Sequence, residues 1–128
     1  MTAVPPALHE LEAEVMDVVW RSGDDEVSVR DVMDALNART SSARAYTTYM
    51  TIMRRLDTKG LLARRREGKT DLYRPVHSAD EYADLRAQAD VDELVAQYGE
   101  VALSHFARQM AQLDPDRRRR LQRLARKK

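Results

Sequence analysis

A chain of 128 residues, 43% apolar and 34% charged, is long enough for one compact domain or two small ones. It has no cysteine, which excludes disulfides, thiolate metal sites and a cysteine nucleophile, and which fits a reducing compartment, the cytoplasm. The net charge of +1 is segregated: residues 1–37 and 77–116 each carry two basic side chains against nine acids, residues 38–76 carry ten against three, and residues 117–128 carry eight and no acid, so two basic blocks stand out as candidate footprints for nucleic acid.

Pro5 and Pro6 precede an apolar pattern at Leu8, Leu11, Val15, Val18 and Val19 that predicts a first helix ending near Gly23. Val27 is short and extended. Ser28 then reads as an N-cap with Asp31 three residues on, the spacing of a capping box. The second helix runs to about Ala38 and buries Val29, Val32, Met33 and Leu36. A polar connector, ARTSSARA, leads into YTTYMTIMRRLDTKG, a third helix stopped at Gly60. The period then changes, and residues 62–66 and 70–76 read as two strands turning at EGK around Gly68. Ser78 with Glu81 repeats the capping pattern and opens a long helix, with Tyr82, Leu85, Ala89, Leu94 and Val95 as candidate buried positions. Gly99 breaks it. Residues 100–113 form the next helix, and Asp114 and Pro115 start a last one as N-cap and first-turn proline.

Helix, strand, helix, helix and a strand–turn–strand unit is the order of a winged helix-turn-helix. The expected fold is mainly α with a small β-hairpin wing. Residues 1–77 form the DNA-binding domain and 78–128 a helical dimerisation domain. The last three helices are too thin to bury their own apolar stripes, and a second copy of the chain is the simplest cover.

The third helix carries the most specific signal. At ~100° per residue, Tyr49, Ile52, Met53 and Leu56 fall on one side. Thr47, Thr51, Arg54 and Thr58 fall on the other, flanked by Met50 and Arg55. Threonine is a mediocre helix former, and a merely solvated face does better with Glu, Lys and Ala. Beside DNA the pattern has a purpose. Short hydroxyls let the helix approach the major groove, a Thr methyl touches a thymine methyl, and arginines bond guanine edges or phosphates. Asp57 is the one acid, and it lies off the stripe. Arg44, just before the helix, adds charge at its entry. Arg64, Arg65, Arg66 and Lys69 lie on and at the tip of the wing, where they suit sequence-independent phosphate contacts. Because consecutive strand residues alternate faces, at least one of the three arginines serves instead to protect the sheet edge.

At this point the residues resemble a known family. LEAEVMDVVW, AYTTYMTIMRRLDTKGLL, YRPV and LSHFARQM, taken together, are similar to the BlaI/MecI/CopY repressors of bacteria, from about Leu8 to Leu124. The resemblance implies a winged-helix domain, a C-terminal dimerisation region and a homodimer that blocks transcription from an inverted-repeat operator, often with TACA/TGTA half-sites. It adds Thr48 to the operator-reading set Thr47, Met50, Thr51, Arg54 and Arg55, with Arg64, Arg66 and Lys69 on the backbone. The apolar pattern of the last three helices supplies the residues expected in that dimer: Leu85, Leu94, Val101, Leu103, Phe106, Met110, Leu121 and Leu124. The copper-responsive branch carries a C-terminal cysteine cluster, and this chain ends in RLARKK. The penicillinase-repressor branch is released when a protease, linked to a sensor, cuts an Asn–Phe bond. His105–Phe106 is the matching position, with the Phe kept and the Asn replaced.

Other functions have weaker support. There is no Gly-rich phosphate loop, no Ser/His/Asp arrangement and no HExxH, and His9, His77 and His105 lie in different elements, so no enzyme, cofactor or metal site is expected. No apolar run approaches the ~20 residues of a membrane span, and the N-terminus lacks the pattern of a secretory signal, so no membrane partner is expected. A winged-helix module that binds protein is the alternative. It calls for apolar residues where this chain has Thr and Arg. RNA binding calls for a stacking platform, whereas the aromatic residues fall at core-like positions.

Overall fold

The computed structural model describes residues 4–127. In chain order they form α1 (Glu10–Arg21), β1 (Val27–Ser28), α2 (Val29–Asn37), α3 (Tyr46–Thr58), β2 (Leu62–Glu67), β3 (Thr70–Pro75), α4 (Ala79–Tyr98), α5 (Glu100–Ala111) and α6 (Pro115–Arg126). The fold is mainly helical, with one antiparallel sheet in the order β1-β3-β2. No described helix is long and apolar enough to cross a membrane.

Local chemistry sets the boundaries. The Ser28 hydroxyl accepts the Asp31 N–H at 3.1 Å, and the Asp31 carboxylate accepts the Ser28 N–H at 2.9 Å, so α2 begins with two of its orphan donors satisfied. At the end of α3, Gly60 has φ +81°, a left-handed conformation that costs other residues energy. That turn bonds the Leu61 N–H to the Leu56 carbonyl at 2.9 Å and drops Leu61 and Leu62 into the core at the start of β2.

The chain divides into two compact units, Met1–Ala87 and Gln88–Lys128. In the first, α1, α2 and α3 close around Val19, Val32, Tyr49, Met53 and Leu56, with Tyr73 of β3 filling the sheet side. The expected inward face of α3 is therefore observed, with Ile52 only half-buried. The unit continues past the wing. Trp20 Nε1 donates to the His77 carbonyl at 2.9 Å, the Trp20 and Tyr82 rings lie 5.4 Å apart, and Tyr82 Oη donates to the Pro6 carbonyl at 2.9 Å. These contacts bring the first turns of α4 into the first unit.

One core feature is absent from the apolar pattern. Glu12, 1% exposed, pairs with Lys59 Nζ at 2.8 Å and also accepts the His9 N–H at 3.0 Å. The pair ties the start of α1 to the end of α3.

The second unit has almost no interior. Ala102 is its one buried residue among those described. The burial expected within α4 is only partial: Tyr82, Leu85, Ala89 and Val95 are half-buried, with Tyr82 packed against the first unit's core, while Leu94 is exposed and no α4 residue is fully buried. The periodicity of α4 marks an apolar stripe, but a stripe reaches low exposure only when something covers it. Gly99, at φ +58° and ψ −131°, makes the break between α4 and α5 in a region that side-chain-bearing residues avoid. α5 ends at Ala111, two residues before the expected Leu113, because the chain tightens there. Gln112 and Leu113 bond the carbonyls of Gln109 and Met110, three residues back. Arg118 then caps α5, donating to the Leu113 carbonyl at 2.9 Å and to those of Met110 and Ala111 at 3.3 Å. One arginine of the C-terminal basic run is thus a structural cap.

Candidate nucleic-acid interface

α3 turns Thr47, Thr48, Thr51, Arg54, Arg55 and Thr58 outward. The hydroxyls of Thr47, Thr48 and Thr51 make no hydrogen bond among the described residues, so they are available to an incoming surface. Thr58 is already occupied, since its hydroxyl donates to the Arg54 carbonyl at 3.1 Å. Met50 is half-buried at the edge of the same face.

The entry to α3 is held by one side chain. Asn37, at the end of α2, accepts the Arg44 N–H at 3.0 Å and donates to the Arg44 carbonyl at 3.0 Å. Its Oδ1 also accepts from Tyr49 Oη at 2.7 Å. The α2–α3 connector is clamped while the Arg44 side chain stays exposed. Asn37→Ala should leave the buried Tyr49 hydroxyl unpaired and cost about 1–3 kcal/mol, read as a lower urea midpoint. The looser connector should also weaken binding to any ligand of α3.

The wing faces α3 with one side of its hairpin. Register sets Arg64 opposite Tyr73 and Arg66 opposite Asp71, so these four share a face, while Arg65 and Leu72 share the other. Arg65 is the arginine with the structural role. It forks onto Glu26 with Nε at 2.8 and 2.9 Å and Nη2 at 2.7 Å, pinning the wing to the segment before β1. The hydrogen bonds from Arg65 hold the Glu26 carboxyl below its usual range, with burial opposing them.

On the α3 side, charges converge. Asp71 lies within 3.5 Å of Arg54, 3.4 Å of Arg64 and 3.2 Å of Arg66, and its own side chain is only 12% exposed. Burial works to raise the Asp71 carboxyl, but the charges of Arg66 and Arg64 and hydrogen bonds from Arg54 and Arg64 hold it low. Arg64 also meets Asp57 at 3.3 Å, which accounts for the single acid beside the stripe. The Tyr73 hydroxyl is buried and has no hydrogen-bond partner among the described residues. Burial pushes its pKa up, Asp71 adds to the rise, and Arg64 and Arg54 oppose it.

Between α2, α3 and the wing tip runs a groove of about 390 Å3, lined by Ser28, Arg30, Tyr46, Met50, Arg54, Arg66, Lys69 and Asp71. The structure thus brings Met50, Arg54, Arg66 and Lys69 together. Arg30, Tyr46, Asn37 and Asp71 were missing from the sequence reading. Arg30 follows a recognisable N-cap, so its position at a helix start facing the third helix was legible. Asp71 follows from counting the hairpin register back from a turn at Gly68 and Lys69. Arg30, Arg44, Arg55 and Lys69 make no ion pair among the described residues.

Residues 8–127 match the family model described as penicillinase repressor. The chain belongs to the penicillinase repressor family. Among relatives of this family member, the transcriptional regulator BlaI of Mycobacterium tuberculosis, in strains H37Rv and CDC 1551, is 37% identical over 114 residues, which is 88% of this chain and 80% of the relative. The solution structure of the DNA binding domain of the repressor BlaI aligns with a TM-score of 0.51 at 28% identity, over 64% of this chain and 94% of that one. The ferric uptake regulator of Francisella tularensis, at 15% identity and a TM-score of 0.50 over 60% of this chain and 58% of that one, shares the fold alone.

In this penicillinase repressor family member the second unit presents an apolar trough of about 310 Å3 lined by Leu94, Tyr98, Val101, Ala102, His105 and Phe106, with Gln109 at its edge. Phe106, Met110 and Leu121 line a neighbouring depression. Val101, Leu103 and Leu124 are more than half exposed, and Leu85 is half-buried. The His105–Phe106 bond lies mid-way along α5, with His105 exposed and Phe106 half-buried. Among the described residues no cluster of His, Asp and Glu is arranged to hold a metal ion.

Proposed function

We propose that the chain acts in the cytoplasm as a homodimeric transcriptional repressor on an inverted-repeat operator. Residues 1–77 are the DNA-binding domain and residues 78–128 the dimerisation domain. The observation that carries the reading is the exposed face of α3, where Thr47, Thr48 and Thr51 leave their hydroxyls unpaired among the described residues, together with the groove between α2, α3 and the wing that gathers Arg54, Arg66 and Lys69. α3 lies in the major groove, with Thr47, Thr48, Met50 and Thr51 toward base edges and Arg54 and Arg55 flanking. Arg44, Arg64, Arg66 and Lys69 meet the phosphates. Kinship with a BlaI DNA binding domain and with transcriptional regulators named BlaI supports it. The same reading includes release by a sensor-linked protease at His105–Phe106. Cleavage there requires α5 to open, because helical backbone is protected until it unfolds locally.

The test is fluorescence anisotropy with a TACA/TGTA inverted-repeat duplex and a scrambled one, each over a salt series. Steep salt dependence with a large preference for the repeat is expected. Flat, negligible binding to both would sink the DNA reading and favour the protein-interaction module. Thr47→Ala and Thr51→Ala should each cut the preference for the repeat, by up to about tenfold, while leaving the salt slope nearly unchanged. Intact specificity in both variants would move base reading off α3.

A further inference from the structure

A repressor must bind its operator well and the rest of the genome poorly, and the basic side of the wing works against that. Phosphate contacts are sequence-independent, and each one added raises affinity for every duplex. Yet two of the arginines placed to make such contacts, Arg64 and Arg66, are gathered with Arg54 of α3 on a single carboxylate, at 3.4, 3.2 and 3.5 Å. The arginines are 38%, 60% and 51% exposed, and the carboxylate beneath them is 12% exposed. Resting on the DNA-binding reading above, we propose that Asp71 is a specificity-determining residue. It is a built-in counter-anion that occupies the arginines of α3 and the wing, so that DNA phosphates must compete with it.

The placement is fixed by two elements at once. Asp71 is the cross-strand partner of Arg66, and Arg64 sits two residues along the same face, so the hairpin register alone brings two arginines to it. Arg54 reaches it from α3. The carboxylate therefore joins the base-reading helix to the backbone-reading wing. Burial opposes its charge, but the surrounding arginines keep it ionised in the free protein. A random duplex offers only phosphates in exchange for these ion pairs. The operator adds base contacts along α3 and pulls Arg54 and the wing into register with the backbone. The net effect lowers affinity for all DNA, and most for DNA that α3 cannot read.

The experiment uses the full-length protein with D71N, which keeps the shape and removes the charge. D24N, at an exposed acid away from the groove, is the control for net charge alone. Anisotropy with the repeat and the scrambled duplex over a salt series should show D71N binding the scrambled duplex about tenfold more tightly, with the salt slope steeper by about one and the preference for the repeat reduced. Adding R64A and R66A to D71N should remove that gain. Circular dichroism melts of each variant confirm a folded sample, and D71E, which restores the charge, should bind the scrambled duplex as the parent does. A D71N protein that binds both duplexes more weakly would mean that Asp71 orients the arginines for DNA, and a change no larger than that of D24N would mean that it has no local role. Either result overturns the proposal while leaving DNA binding standing. A parent protein that binds neither duplex overturns both.

Discussion

Leu103→Asp is expected to turn the protein into a monomer and to weaken binding to the inverted repeat about 100-fold or more. Leu103 is 51% exposed on α5, Val101 is 61% exposed on another side of the same helix, and the second unit buries only Ala102 among its described residues. Such a unit gains little stability from its own packing, because its apolar area is still in water. Covering that area with the same face of a second chain is the symmetric solution. Because the site is exposed in one protomer, an aspartate there costs the protomer almost nothing. In a covered apolar face it would be a buried, unpaired charge, which costs several kcal/mol. The DNA effect follows from linkage. Two half-sites engaged together gain an effective concentration that separate monomers lack, worth about 10²–10⁴ in affinity. Light scattering reads the mass and anisotropy the affinity. A dimer that survives Leu103→Asp would place the interface on another face.

What could be read from the sequence follows how local each determinant is. Ser28 and Asp31 start α2, Gly60 stops α3 and Gly68 turns the wing, and each acts within a few residues, so each is visible in a short window. The inward face of α3 was legible too, since Tyr49, Met53 and Leu56 keep helical period and all reach zero exposure. The alternation rule placed Arg65 on the opposite wing face from Arg64 and Arg66, but the role expected for such an arginine was edge protection, and the structure instead bonds Arg65 to Glu26. The Glu26–Arg65 partnership itself, 39 residues apart, was not legible. Nor was Glu12 with Lys59, 47 residues apart, because an acid inside an amphipathic pattern looks like any solvated acid until the fold brings it a partner. In the candidate site, the threonine stripe was plain, while the convergence of Arg54, Arg64 and Arg66 on Asp71 required the wing to be set against α3. Leu94 shows a different limit. Periodicity identifies an apolar face but says nothing of what covers it, and one chain leaves it exposed.

Lys59→Ala should destabilise the first unit by about 3 kcal/mol, and the pH dependence of that loss should identify its cause. In the folded chain the Glu12 carboxylate has two donors, Lys59 Nζ at 2.8 Å and the His9 N–H at 3.0 Å. Removing the lysine leaves a buried charge with one backbone donor. Breaking a buried pair in this way costs about 3–5 kcal/mol, and the low end applies because Lys59 is 26% exposed. For a unit of this size the melting temperature should fall by roughly 12 to 24 °C. Burial is the largest influence on Glu12 and raises its pKa, but the Lys59 hydrogen bond and charge, together with the His9 contacts, bring the net value below 4.5. The folded parent thus binds its proton less readily than the unfolded chain. Its Glu12 contribution is present above pH 4.5 and is lost as pH falls through the lower folded value. In Lys59→Ala the lysine hydrogen bond and charge are gone, so burial is opposed by the His9 contacts alone and the folded Glu12 pKa lies above that of the folded parent. The deficit against the parent should therefore shrink from pH 7 to pH 4 in urea titrations. A companion variant, Glu12→Gln, has no carboxylate to titrate, so the Glu12 part of its pH dependence should vanish. A Lys59→Ala deficit that stays constant over that range would show that the loss arises elsewhere than at the Glu12 carboxylate.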